Sequence, residues 1–178
     1  MVITRCAGVV CLVLWACHAT AQWKDWDYEL EQEKKPWTEL QAQLPKYPSP
    51  ENLRRIEMGA VAANAFFVDG ASVSVGDDGV VRYPMLIRTS GGAANVSFEG
   101  IRCDSRQARV YAFGHPGAQW SRARSADWRP IVALEMNGYQ HALASQYFCT
   151  FGWNSTPYPL RQIQSALKTG PIRYDSPQ

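Results

Sequence analysis

The alternation of apolar and polar positions is clearest in the middle of the chain. In "GVVRYPMLIRT" Val81, Tyr83, Met85 and Ile87 fall on one face, and Arg82 and Arg88 on the other. That is the period of a β-strand with one buried side. "NAFFVD", "ASVSVG", "ANVSFEGIRC" and "ARVYAFG" flank it, separated by "GDDG", "SGGA" and "CDSRQ", which supply turn residues. Pro84 lacks an amide proton, so the pattern predicts an edge position or a bulge there. In "NVSFEGIRC" the alternation slips: Val96 and Phe98 share a face opposite to Ile101 and Cys103. A one-residue bulge at Glu99–Gly100 is expected to bring all four to the core side.

The period changes in the last third. "NGYQHALASQYFC" places Tyr139, Ala142, Leu143 and Tyr147 at helical spacing, with Cys149 at its end. "PLRQIQSALKTG" begins with proline, spaces Leu160, Ile163 and Leu167 along one face and stops at Gly170–Pro171. Upstream, Ser49 before Pro50 reads as an N-cap and N1 pair opening a short helix that ends near Met58. The predicted fold is α+β, an antiparallel sheet of about five strands with C-terminal helices packed on one face.

Three sections precede or make up this plan. Residues 1–21 read as a secretory leader: Arg5, an apolar core from Ala7 to Ala16, and small residues at Ala19 and Ala21. Ten apolar residues are too few to span a bilayer, which needs about 20, and no later segment is long and apolar enough. Cys17 in "LWAC" raises an alternative, a lipid-anchored protein of the outer membrane, but Trp15 stands where a small residue is expected. Residues 22–48 form an extended polar arm and linker, acidic at its start and carrying Trp23, Trp26 and Trp37. Residues 49–178 form a single α+β domain.

Composition adds little drive toward any one partner. The chain has 178 residues, 18 basic and 16 acidic, and losing Arg5 with the leader leaves a net charge of +1. So even a balance argues against a nucleic-acid binder, which needs a concentrated basic surface. Cys6, Cys11 and Cys17 leave with the leader, so Cys103 and Cys149 remain. An even pair in an exported chain reads first as a disulfide. A catalytic thiolate would need an activating histidine beside it, and a metal site would need ligands beyond His115 and His141. The sequence therefore points to no metal and no cofactor.

Several segments resemble the CNP-one-like family of uncharacterised proteobacterial envelope proteins: "KPWTE", "LPKYPSPENL", "VDGASVSVGDDGVVRY", "ANVSFEGIRC", "VYAFG", "AQWSRARSADWRPI" and "QHALASQYFC". The resemblance runs from Lys35 to Cys149. It implies an exported protein of Gram-negative type located in the periplasm, and brings no reaction, ligand or catalytic residue with it.

Candidate chemistry is sparse. Glu99 and Cys103 with His115 or His141 form the one set resembling a catalytic group, as in a hydrolase, although sequence alone does not bring them within reach. "GDDG" fits a hairpin turn better than a calcium loop. Two sequons, at Asn95 and Asn154, carry weight only in a eukaryotic secretory route. Between Ile101 and Pro130, six arginines (Arg102, Arg106, Arg109, Arg122, Arg124, Arg129) face only Asp104 and Asp127. Trp120 and Trp128 lie among them. Arginine favours bidentate contact with carboxylate or phosphate and stacks on aromatic rings. The candidate binding residues are accordingly Arg102, Arg109, Trp120, Arg122, Arg124 and Trp128. Three readings stay open: a solvated sheet face, a face covered by the acidic Gln22–Glu33 arm, or a site for an anionic envelope ligand or envelope protein. The leading expectation is a non-enzymatic binding or structural module, and the alternative a periplasmic enzyme using Glu99, His115 or Cys103.

Overall fold

The structure, a computed structural model, describes residues 36–58, 63–133, 138–152 and 154–173. The leader, Cys17 and the Gln22–Glu33 arm with its two tryptophans lie outside the described residues.

The fold is α+β, as the pattern predicts, with more strands than expected. Among the described residues eight antiparallel strands form one sheet. They are β1 (Leu53–Ile56), β2 (Ala65–Asp69), β3 (Ser74–Val75), β4 (Val80–Arg88), β5 (Ala94–Arg102), β6 (Gln107–His115), β7 (Gln119–Arg122) and β8 (Arg129–Pro130). The order across the sheet is β1-β2-β4-β5-β6-β7, with β3 beside β4 and β8 beside β6. The flank of β6 is thus shared. β7 pairs with Ala112–His115, and β8 with Gln107 and Ala108.

Two helices follow: α1 (Gly138–Leu143), which continues as a π-helical turn over Ala144–Phe148, and α2 (Leu160–Thr169). Both lie on one side of the sheet, hereafter the inner face. Tyr139, Leu143, Tyr147, Phe148, Ile163, Ala166 and Leu167 pack there against Phe66, Val68, Val81, Tyr83, Met85 and Ile101. Cys103 and Cys149 join in a disulfide with a Cα–Cα distance of 5.6 Å, fastening the end of the π-helical turn to the end of β5.

The expected helix after Ser49 is corrected. Only a 3-10 turn forms, Pro50–Asn52, and Leu53–Ile56 is a strand paired with Phe66–Asp69 of β2. Here sheet pairing overrides local helix propensity. The edge expectation for Pro84 is corrected as well. β4 is an interior strand, but Pro84 falls between the β2 ladder, which stops at Met85, and the β3 ladder, which starts at Arg82. The missing amide proton is tolerated in that gap.

The bulge lies elsewhere than predicted. β5 pairs with β4 without interruption from Ala94 to Arg102, so Ser97, Glu99 and Ile101 all point to the inner face and Phe98 to the opposite one. The register slips on the other side: Phe98 opposes Ala112 and Glu99 opposes Val110, leaving Tyr111 as the extra residue in β6. This turns Tyr111 and Ala112 to the same side, where both pack with Phe98. Val96 and Phe98 need no bulge to be buried, because the outer face has its own cover. The strap 38–48 crosses it, with Ala42 packed on the Phe98–Tyr111–Ala112 cluster and the Tyr47 ring 5.2 Å from that of Trp120.

Candidate functional site

The outer face carries a cross-strand row. Arg82 on β4 opposes Gly100 on β5, and Gly100 opposes Arg109 on β6. The glycine leaves a hollow, and Tyr111 lies in it: a Cβ at position 100 would come within 2.7 Å of the phenol oxygen. The two guanidinium groups sit 5.8 Å (Arg82) and 5.2 Å (Arg109) from the centre of the Tyr111 ring. Cations placed over a ring face are attracted by its quadrupole. Trp128 completes the wall, edge-on to Tyr111 and 5.9 Å from the Arg109 guanidinium.

Glu39 of the strap enters this cage. Its Oε2 accepts hydrogen bonds from Arg109 Nη1 and, at 3.2 Å, from Trp128 Nε1, while its Oε1 accepts from the Tyr111 hydroxyl at 2.7 Å. Arg82 Nη2 stands 3.9 Å from Oε1. The strap backbone is held separately: the Leu40 amide donates to Asp78 Oδ2 at 2.8 Å, and Arg82 Nη2 donates to the Leu40 carbonyl at 3.0 Å. Asp78, from the "GDDG" turn, also accepts from both terminal nitrogens of Arg82.

Electrostatics follow this wiring. Burial raises the Tyr111 pKa, and the hydrogen bond to Glu39 raises it further, so the phenol stays a donor. Burial would raise the Asp78 pKa, but hydrogen bonds from Arg82 and the Leu40 amide outweigh it and hold the carboxyl below its ordinary value. Arg82 is raised: burial acts downward, and the Asp78 hydrogen bond together with the electrostatic attraction of Asp78 and Tyr111 outweighs it. Beside Glu39 a groove of about 200 Å³ opens, lined by Leu40, Gln41, Ala42, Arg109, Tyr111 and Arg122.

The six residues singled out by sequence separate into groups. Arg109 and Trp128 meet at Glu39. Arg122 lines the adjacent groove and is exposed, as is Arg124. Trp120 serves the strap, donating to the Pro45 carbonyl at 3.0 Å. Arg102 pairs with Asp104 at the end of β5. Sequence reading missed Glu39, Arg82, Asp78 and Tyr111. The signal was there in part, since Arg82 lies on the non-core side of β4 and Gly100 marks a close approach.

The inner face holds a second polar cluster. The Glu99 carboxylate is 1 % exposed and accepts from Tyr83 (3.1 Å), Ser97 (2.5 Å), Tyr139 (2.9 Å) and Gln140 (2.9 Å). Burial and the neighbouring Glu99 charge push the Tyr83 and Tyr139 hydroxyls well above their usual range. The three residues of the hydrolase alternative do not converge. Cys103 is bonded to Cys149, Glu99 is enclosed by its donors, and His115 pairs with Ser121 on an exposed strand end. Val110 opposes Glu99, and His115 is five positions further along β6, roughly 15 Å away at strand spacing. Among the described residues no group of three His, Cys, Asp or Glu side chains is placed to hold a metal ion. No helix among them is long and apolar enough to cross a membrane.

Residues 32–168 match the CNP1-like family. The chain is similar to cryptic neisserial protein 1 of Neisseria gonorrhoeae (strain ATCC 700825 / FA 1090), with 29 % identity over 119 residues. The matched stretch covers 60 % of this chain and 57 % of that relative, so the chain spans little more than half of the relative's length. No solved structure matches.

Proposed function

We propose, from the premise that the chain belongs to the CNP1-like family, that it is an exported, non-enzymatic binding module of a Gram-negative envelope, taking an anionic partner on its outer sheet face. One observation carries this reading: Arg109, Tyr111 and Trp128 aim three donors at a single carboxylate. Such convergence on two oxygens is the chemistry of carboxylate recognition. Arg122 extends the positive field along the adjoining groove, where an elongated ligand would lie. The disulfide suits an oxidising compartment such as the periplasm, and the leader-like residues 1–21 agree with export.

The test is co-sedimentation of the mature protein with isolated bacterial envelopes. Charge reversal at Arg122 and Arg124 is expected to weaken capture several-fold, and unchanged capture argues against the reading. Intact mass of protein recovered from its host checks the export step. An N-terminus at Gln22 is expected, whereas a diacylated Cys17 would replace the free periplasmic form with an anchored one.

A further inference from the structure

We infer that Glu39 is a built-in competitor occupying a carboxylate receptor, and that the ligand of the outer face is an acidic chain whose carboxylate displaces it from Arg109, Tyr111 and Trp128. This deepens the binding-surface reading above and rests on it. The donor set selects the ligand class. Asp78 neutralises Arg82 through paired hydrogen bonds, so Arg109 leaves the cage with a single positive charge. The remaining donors, a phenol and an indole N–H, are neutral. Three donors, one of them charged, arranged about two coplanar oxygens fit a planar carboxylate better than a tetrahedral phosphate.

Displacement needs no unfolding. The strap backbone is fixed at Leu40 by Asp78 and Arg82, and at Pro45 by Trp120, independently of the Glu39 side chain. That side chain is 19 % exposed and borders the groove lined by Arg122, so an incoming chain can lie beside it before exchange. A side chain tethered next to its own receptor acts at high effective concentration. Affinity for an outside competitor falls by the fraction of time the receptor is vacant, so about 90 % occupancy by Glu39 weakens binding about tenfold.

Calorimetric titration of the full mature chain with poly-L-glutamate tests this, with inorganic polyphosphate in a parallel arm. Glu39→Gln keeps the size and an acceptor oxygen but removes the charge. It is expected to bind polyglutamate about tenfold more tightly than the wild type. Adding Arg109→Gln should abolish that gain. Glu39→Asp, which shortens the reach by one methylene, should give a smaller gain and serves if the amide lowers the melting temperature. Equal affinity of wild type and both Glu39 variants overturns the competitor role, while envelope capture that still depends on Arg122 and Arg124 leaves the binding surface standing. Tighter binding of polyphosphate than of polyglutamate by Glu39→Gln overturns the carboxylate assignment. Failure of every variant to bind either polymer overturns the inference.

Discussion

Gly100 and Tyr111 are matched in shape across neighbouring strands: the space that any side chain at 100 would fill is taken by the phenol ring. Gly100→Ala therefore pushes Tyr111 off its position between the two arginines. The expected cost is about 1–3 kcal/mol, as for other overpacked sites. Urea titration against the wild type measures it, and near-ultraviolet circular dichroism should show the altered ring environment.

Glu99 makes the opposite kind of demand, since four donors converge on it and no arginine or lysine among the described residues pairs with it. Glu99→Gln replaces an acceptor oxygen by an NH2 group and sets donors against donors. A buried polar group left without its partner costs about 1–3 kcal/mol, more where a charge was involved. A fall in the urea midpoint of that order is expected.

Alkaline stability follows from the same cluster. Burial first, then the Glu99 charge, raises the pKa of Tyr83 and Tyr139 in the folded state. The unfolded chain therefore loses these protons first, above about pH 10, the ordinary tyrosine value. Over that range the native state binds more protons, so unfolding free energy falls as pH rises and is unaffected by these groups below pH 10. Thermal melts between pH 9 and 11.5 should show a decline that Tyr139→Phe reduces.

The Cys103–Cys149 bond spans a sequence separation of 46, and closing such a loop stabilises by about 4 kcal/mol on the chain-entropy estimate. Cys149→Ser is expected to lose most of that, read as a lower denaturant midpoint. Wild-type protein with a reducing agent should approach the same value. If two free thiols are titrated in the folded, unreduced protein, the crosslink is absent.

How far the chain could be read depended on how local each signal was. The strands β4 and β5 and the two C-terminal helices follow from periodicity within one segment. β1 does not: "LRRI" has no strand pattern of its own, and its form is fixed by pairing with β2. β5 needs no bulge at Glu99–Gly100 because the sheet is covered on both faces. Val96 and Phe98 are covered by a strap whose docking the strand's own residues do not encode. The site was half legible for a similar reason. Clustered arginine and tryptophan draw the eye to Arg109 and Trp128, whereas Arg82, Gly100 and Arg109 become one row only once the register is set.

The division of the β6 flank between two short strands bears on how the protein survives at high concentration. An unpaired strand edge is a template for another chain, and the hazard grows with its uninterrupted length. In the described sheet the outermost strands are β1 and β7, four residues each, and β3 and β8, two residues each; β3 meets β4 at a different level from β2, and β8 meets β6 at a different level from β7. Each rim is therefore a broken ledge, too short to seed a ladder. The sheet is built against fibre growth as well as for holding its two covers.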